Sequence, residues 1–354
     1  MSRHVENIVL PADLTVFDEI IDVRSPGEYE EDRISGAISL PVLNDAERAK
    51  VGTIYKQVSA FDARKIGAAL VSKNIAVHLE THLANKPKDY RVLVYCWRGG
   101  QRSGSMATVM NDIGWDVSLI SGGYKAYRSL VVEVIEMKAP TLKLVVLNGY
   151  TGAGKTLLLA EMDRTGEQVI DLEGMANHKG SVFGGDPHDP QPAQKQFESL
   201  IYEKLEKIDF SRPVYIEAES AKIGRLNLPN PLWQKLKDSP VIEVDSPVEA
   251  RARYLAGDYE EWIGNLGRVH DTIDRLAGFH SKATLARWKT MTEAGEWHPF
   301  VSELLTEHYD TRYTVDGSGN YPVPSGKVPL PSHDEAAITK AAKEIIKLAP
   351  SLIP

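Results

Sequence analysis

A glycine-rich segment near the middle of this 354-residue chain constrains the fold more than any other feature. Gly149-Tyr-Thr-Gly-Ala-Gly-Lys-Thr156 directly follows the apolar run Leu144–Leu147 and precedes the helical run Leu157–Met162. Glycines followed by lysine and threonine, placed between a buried strand and a helix, form the Walker A pattern of a phosphate-binding loop, or P-loop. The sequence therefore predicts an α/β domain that binds an anionic phosphate compound.

Five residues of this loop are the candidate phosphate ligands, namely Gly149, Gly152, Gly154, Lys155 and Thr156. The glycines let backbone N–H groups surround a phosphate, and the lysine supplies positive charge. Thr156 is also a candidate ligand for Mg²⁺ where a nucleotide binds. The alternative is a glycine-rich turn that binds no ligand. The position of the loop between a strand and a helix counts against this alternative.

Carboxylates at the ends of predicted strands are candidate partners of the P-loop. The strand Val214–Glu217 ends in Glu217, and Glu219 lies two residues further on. Residues at positions i and i+2 of a strand share a face, so both are expected to face the P-loop, although Glu219 fits a solvated strand end equally well. Asp171 is a further candidate metal or substrate ligand, with capping of the following turn as the alternative. A glutamate instead of the usual aspartate puts nucleotide hydrolysis in doubt, but not phosphate binding.

The chain has a single cysteine, Cys96, which follows the predicted buried strand Arg91–Tyr95 and opens a loop that ends at Ser103. Convergent loop N–H groups, the N-terminus of the next helix, and the charges of Arg98 and Arg102 all favour the thiolate. We therefore predict an acidic, nucleophilic Cys96, with both arginines neutralising an anionic donor. A buried structural cysteine is the alternative. One cysteine forms neither an internal disulfide nor a thiolate metal cluster, and we expect no metal site and no tightly bound cofactor.

Several basic residues are candidate contacts for phosphate or nucleic acid, and each is also compatible with an ordinary solvated position. They are His178, Lys179, Arg251, Arg253, Arg275 and Arg287. Lys282, Trp288 and Lys289 lie near the last two, which makes this the best basic stretch with an aromatic residue. A net charge of −8 argues weakly against nucleic-acid binding, so a polyanion would need such a local patch.

Secondary-structure signals divide the chain into two α/β series. Residues 8–135 alternate short apolar strands with helical segments, which implies a parallel sheet with helices on its faces. The break Lys138-Ala-Pro-Thr141 ends this series, and Leu142–Leu147 begins the next. We predict one domain over residues 1–138 and a second over residues 139–354 that is mostly helical from about residue 246. Tyr313–Ser332 is predicted to be a loop, followed by a helix from a capping box at Ser332 to Lys347.

No apolar stretch approaches the roughly 18 residues of a membrane span, and the first residues lack the pattern of a signal peptide. We therefore expect a cytoplasmic protein with no membrane partner.

The residues around Cys96 resemble the active-site loop of the rhodanese family of sulfurtransferases. Asp22-Val-Arg-Ser-Pro-Gly-Glu-Tyr29 and Ile34-Ser-Gly-Ala-Ile-Ser-Leu-Pro41 resemble the N-terminal signature of that family, in which the cysteine carries sulfur as a persulfide. The spacing from Cys96 to Arg102 is one residue longer than in most single-domain members and equals that of cysteine phosphatases. A longer loop suits a tetrahedral, phosphate-like anion. Tyr95 stands where tyrosine phosphatases have histidine, which weakens a hydrolase interpretation.

The order of the two motifs is more specific than either motif alone. A rhodanese-like domain carrying Tyr95-Cys-Trp-Arg-Gly-Gly-Gln-Arg-Ser103, followed by a P-loop domain, resembles the bacterial tRNA 2-selenouridine synthase family. Asp171–Ser181 and Tyr215–Gly224 also resemble segments of that family. The resemblance covers at least residues 16–290.

This resemblance implies a function. The family replaces the sulfur of 2-thiouridine, at the wobble position of the tRNA anticodon loop, with selenium from selenophosphate. It first attaches a geranyl group from geranyl diphosphate to that sulfur, which can then leave as a thiol. The resemblance implies that Cys96 holds or directs selenium. Whether Cys96 carries the selenium as a perselenide stays open at this point. The resemblance further implies that the P-loop holds a diphosphate or a tRNA phosphate, and an enzyme supplying selenophosphate is a candidate partner.

Three other functions stay open at this point. A sulfurtransferase–kinase fusion acting on small molecules predicts ATP turnover and indifference to tRNA. A cysteine phosphatase with a regulatory nucleotide-binding domain predicts aryl phosphate hydrolysis that is lost in Cys96→Ser. A non-enzymatic anion sensor predicts that Cys96→Ser leaves all function intact.

Overall fold

The computed structural model describes residues 5–179, 190–258, 265–312 and 321–353. The chain forms two compact units. The first comprises Met1–Val134 together with Ala193–Tyr202, and the second comprises Ile135–Pro192 together with Glu203–Pro354. Each unit thus contains residues from two separate stretches of the chain.

A five-stranded sheet of parallel neighbours is the centre of the first unit, as far as the structure describes it. Its strands are β1 (Glu6–Ile8), β2 (Glu19–Asp22), β3 (Ala37–Ser39), β4 (Arg91–Tyr95) and β5 (Asp116–Ile120). Their order is β1-β5-β4-β2-β3. Apolar side chains of the central strand β4, such as Val92 and Val94, are fully buried. The carboxyl end of β4 therefore holds the residue that follows it, Cys96, at a rigid sheet edge.

Helices connect these strands, as expected for parallel pairing. They are α1 (Pro26–Glu31), α2 (Asp45–Gln57), α3 (Ala60–Glu80), α4 (Gln101–Ile113) and α5 (Gly123–Lys138). The segment that leads into β2 is not extended throughout. A 3-10 turn, Leu14–Val16, occupies the start of that segment because the Asp13 side chain accepts a hydrogen bond from the backbone N–H of Thr15.

The second unit contains another five-stranded parallel sheet among its described residues, in the order β12-β11-β6-β8-β7. Its strands are β6 (Leu144–Asn148), β7 (Gln168–Ile170), β8 (Val214–Glu217), β11 (Val241–Asp245) and β12 (Gly326–Pro329). A separate antiparallel pair consists of β9 (Lys222–Ile223) and β10 (Leu226–Asn227). Because β6 lies at the centre of the sheet, the loop after it is held by buried neighbours on both sides.

The helices that follow α5 in the chain are α6 (Lys155–Arg164), α7 (Leu172–Ala176), α8 (Gln194–Lys207), α9 (Asn230–Lys237) and α10 (Val248–Asp258). Later helices, named here by their ranges, are Leu266–Arg275, Lys282–Glu293, Trp297–Leu304 and Glu335–Leu352. A π-helical turn, Leu305–Tyr309, and the turn Asp310–Arg312 extend the third of these. Short 3-10 turns occur at Leu14–Val16, Ala139–Thr141 and Leu276–Gly278.

The predicted fold class, two parallel α/β sheets with a helical C-terminal region, is confirmed. The predicted loop Tyr313–Ser332 is wrong at Gly326–Pro329, which form the edge strand β12. Glycine and proline misled the prediction, although proline is tolerated in an edge strand because one side of that strand needs no ladder donor. Residues 313–320 lie outside the described chain.

The final helix was also bounded incorrectly. Asp334, not Ser332, is the N-cap, since its side chain accepts from the backbone N–H of Ala337 at 2.9 Å. The helix runs to Leu352 rather than to Lys347. Among the helices of the described residues, none combines the length and apolar character required to cross a bilayer.

Candidate active site

Cys96 lies directly after β4, and its side chain is buried, with only 3% of the residue exposed. The Cys96 Sγ atom accepts hydrogen bonds from the backbone N–H of Gly100 at 3.3 Å and from the hydroxyl of Ser103 at 3.2 Å. Ser103 belongs to the first turn of α4, so the thiol faces the N-terminal end of that helix. The loop and the helix start together form a cradle of donors around sulfur.

These donors determine the acidity of the thiol. Burial raises the pKa of Cys96, but hydrogen bonds from the hydroxyl and backbone N–H of Ser103, and then from the backbone N–H groups of Gly100 and Arg98, outweigh burial. The net effect is a pKa below the ordinary value for cysteine. The leading favourable causes are hydrogen bonds, whereas the sequence had suggested the charges of Arg98 and Arg102 as well.

Arg102 is engaged by a carboxylate. Its guanidinium donates to Glu28 at 2.7 Å, and Glu28 lies in the first turn of α1. Arg48 makes a longer ion pair with the same carboxylate at 3.5 Å. Arg98, by contrast, is exposed. The predicted pair of anion-holding arginines therefore consists of one exposed residue and one that is already paired.

The glycine turn at Gly122-Gly123 packs against the cysteine loop. The backbone N–H of Tyr124 donates to the carbonyl of Cys96 at 2.8 Å, and that of Lys125 donates to the carbonyl of Trp97 at 2.9 Å. A Cβ atom on Gly123 would lie 2.3 Å from the Cys96 carbonyl oxygen, and Gly123 has a φ of +59°. Only glycine fits this position. Our reading of the sequence missed this turn, although Gly122-Gly123 after a predicted strand was a usable signal.

Residues of the stretch Ala193–Tyr202 complete the first unit near this loop. Lys195 Nζ lies 5.8 Å from the centre of the Trp97 ring and forms an ion pair with Glu31 at 2.7 Å. The buried Asp32 accepts hydrogen bonds from the hydroxyls of Tyr124 at 2.7 Å and Ser199 at 3.0 Å. This network fixes part of α8 against the elements that carry Cys96, and no local sequence pattern indicated it.

The P-loop connects β6 to α6, as predicted. Gly152 and Gly154 have φ values of +77° and +86°, and Gly154 is the N-cap of α6. Lys155 Nζ donates to the carbonyl of Gly149 at 3.1 Å. Thr156 is exposed, and its hydroxyl donates to Glu173 at 3.2 Å. The loop backbone therefore has the left-handed residues that let successive N–H groups converge on an anion.

Three glutamates meet beside this loop. Glu217 is fully buried, and its Oε1 atom accepts from the backbone N–H of Glu173 at 2.7 Å, while its Oε2 atom has no hydrogen-bond partner in the described structure. Burial, together with the nearby charges of Asp171 and Glu173, raises the pKa of Glu217 to about 8. Sequence reasoning selected Glu217 but missed Glu173, which lies in a short helix rather than at a strand end.

Glu219 belongs to the same group. Its pKa is well above the ordinary value, first because of burial and then because of the charge of Glu173 and a side-chain hydrogen bond with it, and Lys155 opposes this rise. Its backbone N–H donates to the hydroxyl of Tyr321 at 2.9 Å. Glu219 thus interacts with the charge of Lys155, and Glu217 contacts Glu173, whose carboxylate accepts from Thr156.

Asp171 caps α7, because its side chain accepts from the backbone N–H of Gly174 at 2.7 Å. Burial raises the pKa of this carboxyl. His178 follows α7, and burial lowers the pKa of its imidazole, whereas Lys179 is exposed. Residues 180–184, which follow Lys179, lie outside the described chain.

The two candidate arginines of α10 differ sharply. Arg251 is 2% exposed, pairs with Asp310 at 2.7 Å, and donates to the carbonyl of Thr151 in the P-loop at 3.2 Å. Arg253 is exposed and pairs with Glu249 one turn earlier. Arg251 thus supports the backbone of the P-loop, while Arg253 lies on a solvated helix face.

The basic stretch with an aromatic residue is partly neutralised by ion pairs. Arg287 pairs with Glu303 and Glu307, at 2.7 and 3.0 Å, and Lys289 pairs with Asp274 at 2.7 Å. Arg275 and Lys282 are exposed. Trp288 is fully buried in the core of the helical region, so its ring cannot stack on a base.

Candidate metal ligands occur throughout the described residues, 5–179, 190–258, 265–312 and 321–353. No group of three or more His, Cys, Asp or Glu side chains there has an arrangement that could hold a metal ion by itself.

The fold and the two loops define the class. A thiol cradle of the rhodanese type and a P-loop in one chain are features of a transferase-type enzyme with two α/β domains. Residues 10–130 match the family model of the rhodanese-like domain, and residues 142–265 match that of the tRNA 2-selenouridine synthase AAA domain.

Curated relatives specify the family. A tRNA 2-selenouridine synthase of Nitrosomonas europaea is 38% identical over 73% of this chain and 68% of its own length. Synthases of a Sulfurovum species and of Shewanella denitrificans are 33% and 37% identical, each over 83% of this chain and 87% of their own length. The chain belongs to the tRNA 2-selenouridine synthase family, whose members are tRNA-modifying enzymes.

Proposed function

We propose that this enzyme converts 2-thiouridine at the wobble position of tRNA to 2-selenouridine through an S-geranyl intermediate, with geranyl diphosphate and selenophosphate as substrates. The family name of its relatives supports tRNA as the substrate. The observation that carries the selenium step is the cradle at Cys96, where N–H and O–H donors surround a thiol of lowered pKa.

In the first step the thiocarbonyl sulfur of 2-thiouridine attacks C1 of geranyl diphosphate. The C1–O bond breaks, diphosphate leaves with the bonding electrons, and the base loses its N3 proton. The P-loop is suited to this step because its N–H groups and Lys155 stabilise an anionic phosphate group as charge develops on it. A phosphate of the tRNA is the other anion that this loop could take.

In the second step the selenium of selenophosphate attacks C2 of the base. Geranylthiol leaves after protonation of its sulfur, and hydrolysis of the selenium–phosphorus bond releases phosphate. Cys96 holds or directs the selenium donor, and the N–H groups that face Cys96 Sγ, together with the exposed Arg98, offset the negative charge of that donor. Alkylation in the first step is necessary because a thiocarbonyl sulfur is a poor leaving group.

Mg²⁺ commonly binds together with the phosphate groups that P-loops hold. Thr156 and Glu173, in contact at 3.2 Å, are oxygen donors of the kind that Mg²⁺ accepts beside phosphate oxygens and water. These two residues would hold the ion, which would withdraw charge from the leaving diphosphate.

The direct test is nucleoside analysis by mass spectrometry of tRNA that carries wobble 2-thiouridine. We expect S-geranyl-2-thiouridine after incubation with the enzyme and geranyl diphosphate, and 2-selenouridine once selenophosphate is added. Selenium incorporation without geranyl diphosphate, or no new nucleoside under either condition, would contradict the proposal. Parallel assays with ATP and an aryl phosphate test for the activities of a kinase fusion and a phosphatase.

A further inference from the structure

An apolar cavity lies within the second unit, beside the P-loop. Its free volume is about 30 Å³ and its mouth is open to solvent, so a ligand would enter by displacing the flexible side chains of its wall. Its wall includes Leu255 of α10, Val269 of the helix Leu266–Arg275, and Trp297, Phe300 and Leu304 of the helix Trp297–Leu304. These side chains belong to the same apolar core cluster, so the cavity is a gap within a packed helical region.

The P-loop itself forms part of this wall. Thr151, the third residue of the glycine-rich motif, lines the cavity. Its neighbour Gly152 is so close to Leu255 that a Cβ atom at Gly152 would lie 2.8 Å from the Leu255 Cδ1 atom. Arg251, one turn before Leu255 on α10, donates to the Thr151 carbonyl. The anion-binding loop and the apolar cavity therefore share residues 151–152 as a common border.

This border indicates what kind of ligand fits. A nucleotide whose phosphates lie on the P-loop requires polar groups for its ribose and base, because ligand pockets orient such groups with a few placed donors and acceptors. The lining on this side is instead almost wholly hydrocarbon and aromatic, with Thr151 and Tyr309 as its hydroxyl-bearing members. A long hydrocarbon chain needs no such partners and gains from leaving water.

We propose that this cavity holds the hydrocarbon chain of a prenyl diphosphate whose diphosphate lies on the P-loop. The inference rests on the proposed function and extends it in two ways. It selects diphosphate, rather than a tRNA phosphate, as the anion of the P-loop, and it assigns the prenyl site to α10 and the helix Trp297–Leu304. The ester carbon between chain and diphosphate would then lie at residues 151–152, the border of the two surfaces.

The test compares two probes, geranyl diphosphate and inorganic diphosphate, by calorimetry on the full chain. Wild-type protein should bind geranyl diphosphate at least about tenfold more tightly, because only this ligand buries a hydrocarbon chain. Ala256→Phe places a ring in the cavity and should abolish most of that preference while leaving the affinity for inorganic diphosphate unchanged. Val323→Phe, at a position 86% exposed, is the matched control and should keep the preference.

Two results would overturn the inference. One is a wild-type protein that binds both probes equally, and the other is an Ala256→Phe variant that retains the tenfold preference. Ala256→Phe could fail to bind inorganic diphosphate because it misfolds. In that case the variant Trp297→Ala tests the cavity instead. This half-buried side chain can be shortened to enlarge the cavity, which should shift the preference from geranyl towards farnesyl diphosphate. An unchanged preference for chain length would count against the cavity.

An assay that begins after the alkylation step separates this inference from the proposed function. tRNA that already carries S-geranyl-2-thiouridine should be converted to 2-selenouridine by Ala256→Phe at the wild-type rate, because the prenyl diphosphate site is then not used. If wild-type protein prefers geranyl diphosphate but never alkylates tRNA, the proposed function fails while the cavity assignment stands. If wild-type protein alkylates tRNA and Ala256→Phe does so with an unchanged KM for geranyl diphosphate, the cavity assignment alone fails.

Discussion

The guanidinium of Arg102 donates a 2.7 Å hydrogen bond to the carboxylate of Glu28, 74 positions earlier in the chain. Burial opposes ionisation of Glu28, but the hydrogen bond and charge of Arg102 outweigh burial and hold the pKa of this carboxyl below its ordinary value. The arginine that sequence reasoning assigned to the incoming anion thus has a structural partner, which fixes α4 relative to α1.

Removal of either partner of this pair should destabilise the protein. We expect Arg102→Ala to lower the free energy of unfolding by about 1–3 kcal/mol, the usual cost of leaving a half-buried charged acceptor without its donor. The pair's contribution should be complete above the unfolded pKa of glutamate and should fade as acid protonates Glu28 through its lower folded pKa. Urea denaturation from neutral pH to pH 3, with Glu28→Gln and the double variant, measures the coupling. A double variant whose loss equals the sum of the single losses would show that the two residues do not interact.

The second prediction concerns the acidity of Cys96. Because the Ser103 hydroxyl is the leading favourable cause of the lowered thiol pKa, Ser103→Ala should raise that pKa. Alkylation by iodoacetamide near neutral pH should then slow by roughly tenfold, the worth of one hydrogen bond to a charged group. Ser105→Ala is the control, since Ser105 lies on the same helix but is exposed and bonds to the Gln101 carbonyl. Equal alkylation profiles for both variants would refute the role of Ser103.

A third prediction separates steric fit from backbone strain at the glycine turn. Gly36→Ala, at a φ of +74° with open space around it, should cost only about 1 kcal/mol of stability from left-handed strain. Gly123→Ala has similar strain, but its Cβ atom also overlaps the Cys96 carbonyl, so it should cost more and should abolish selenium incorporation. Thermal unfolding and nucleoside analysis provide the two readouts. Normal selenium incorporation in Gly123→Ala would show that the turn does not position the cysteine loop.

The fourth prediction concerns pH dependence at the P-loop carboxyls. Burial raises the pKa of Glu217 to about 8, so the folded protein retains a proton that the unfolded chain, with an ordinary pKa near 4.5, has lost. The contribution of Glu217 should therefore favour folding at low pH and diminish as pH rises from 4.5 to 8. Glu217→Gln should flatten this part of the stability curve, as measured by urea denaturation at several pH values. A wild-type curve that rises across this window and is unaffected by Glu217→Gln would contradict the assignment.

The two arginines of α10 provide a fifth prediction. Arg251→Met should lower the free energy of unfolding by about 3 kcal/mol, because it leaves Asp310 without its partner, and should weaken diphosphate binding because the Thr151 carbonyl loses a donor. Arg253→Met should change neither quantity by much, since exposed i,i+4 ion pairs contribute about 0.3–0.5 kcal/mol. Denaturation and calorimetry on both variants check this contrast. A larger loss of diphosphate affinity in Arg253→Met would reverse the assignment.

The sequence allowed both loops of the candidate site to be located, because each is a contiguous segment whose residues act through their own backbone. Strand, glycines and Lys155 lie side by side in the chain, and so do β4, Cys96 and Ser103. The parallel sheets followed from the alternation of apolar strands with helices. These features depend on local propensity and hydrophobic periodicity, which a sequence displays directly.

Features that depend on distant partners were not predictable in this way. Nothing near Arg102 indicates that Glu28 holds it, and nothing near Lys289 indicates the carboxylate of Asp274. Trp288 was the aromatic residue of the best basic stretch, yet tertiary packing buries it completely. β12 was read as loop because glycine and proline obscure the strand signal, whereas pairing with β11 determines its structure.

The central claim is that Cys96 serves the selenium step and the P-loop serves the geranyl step. Its most direct test supplies tRNA already carrying S-geranyl-2-thiouridine, plus selenophosphate, to Cys96→Ser and Lys155→Ala. We predict that Lys155→Ala forms 2-selenouridine at close to the wild-type rate and that Cys96→Ser forms none. Conversion by Cys96→Ser, or equal loss of conversion in both variants, would contradict this division of labour.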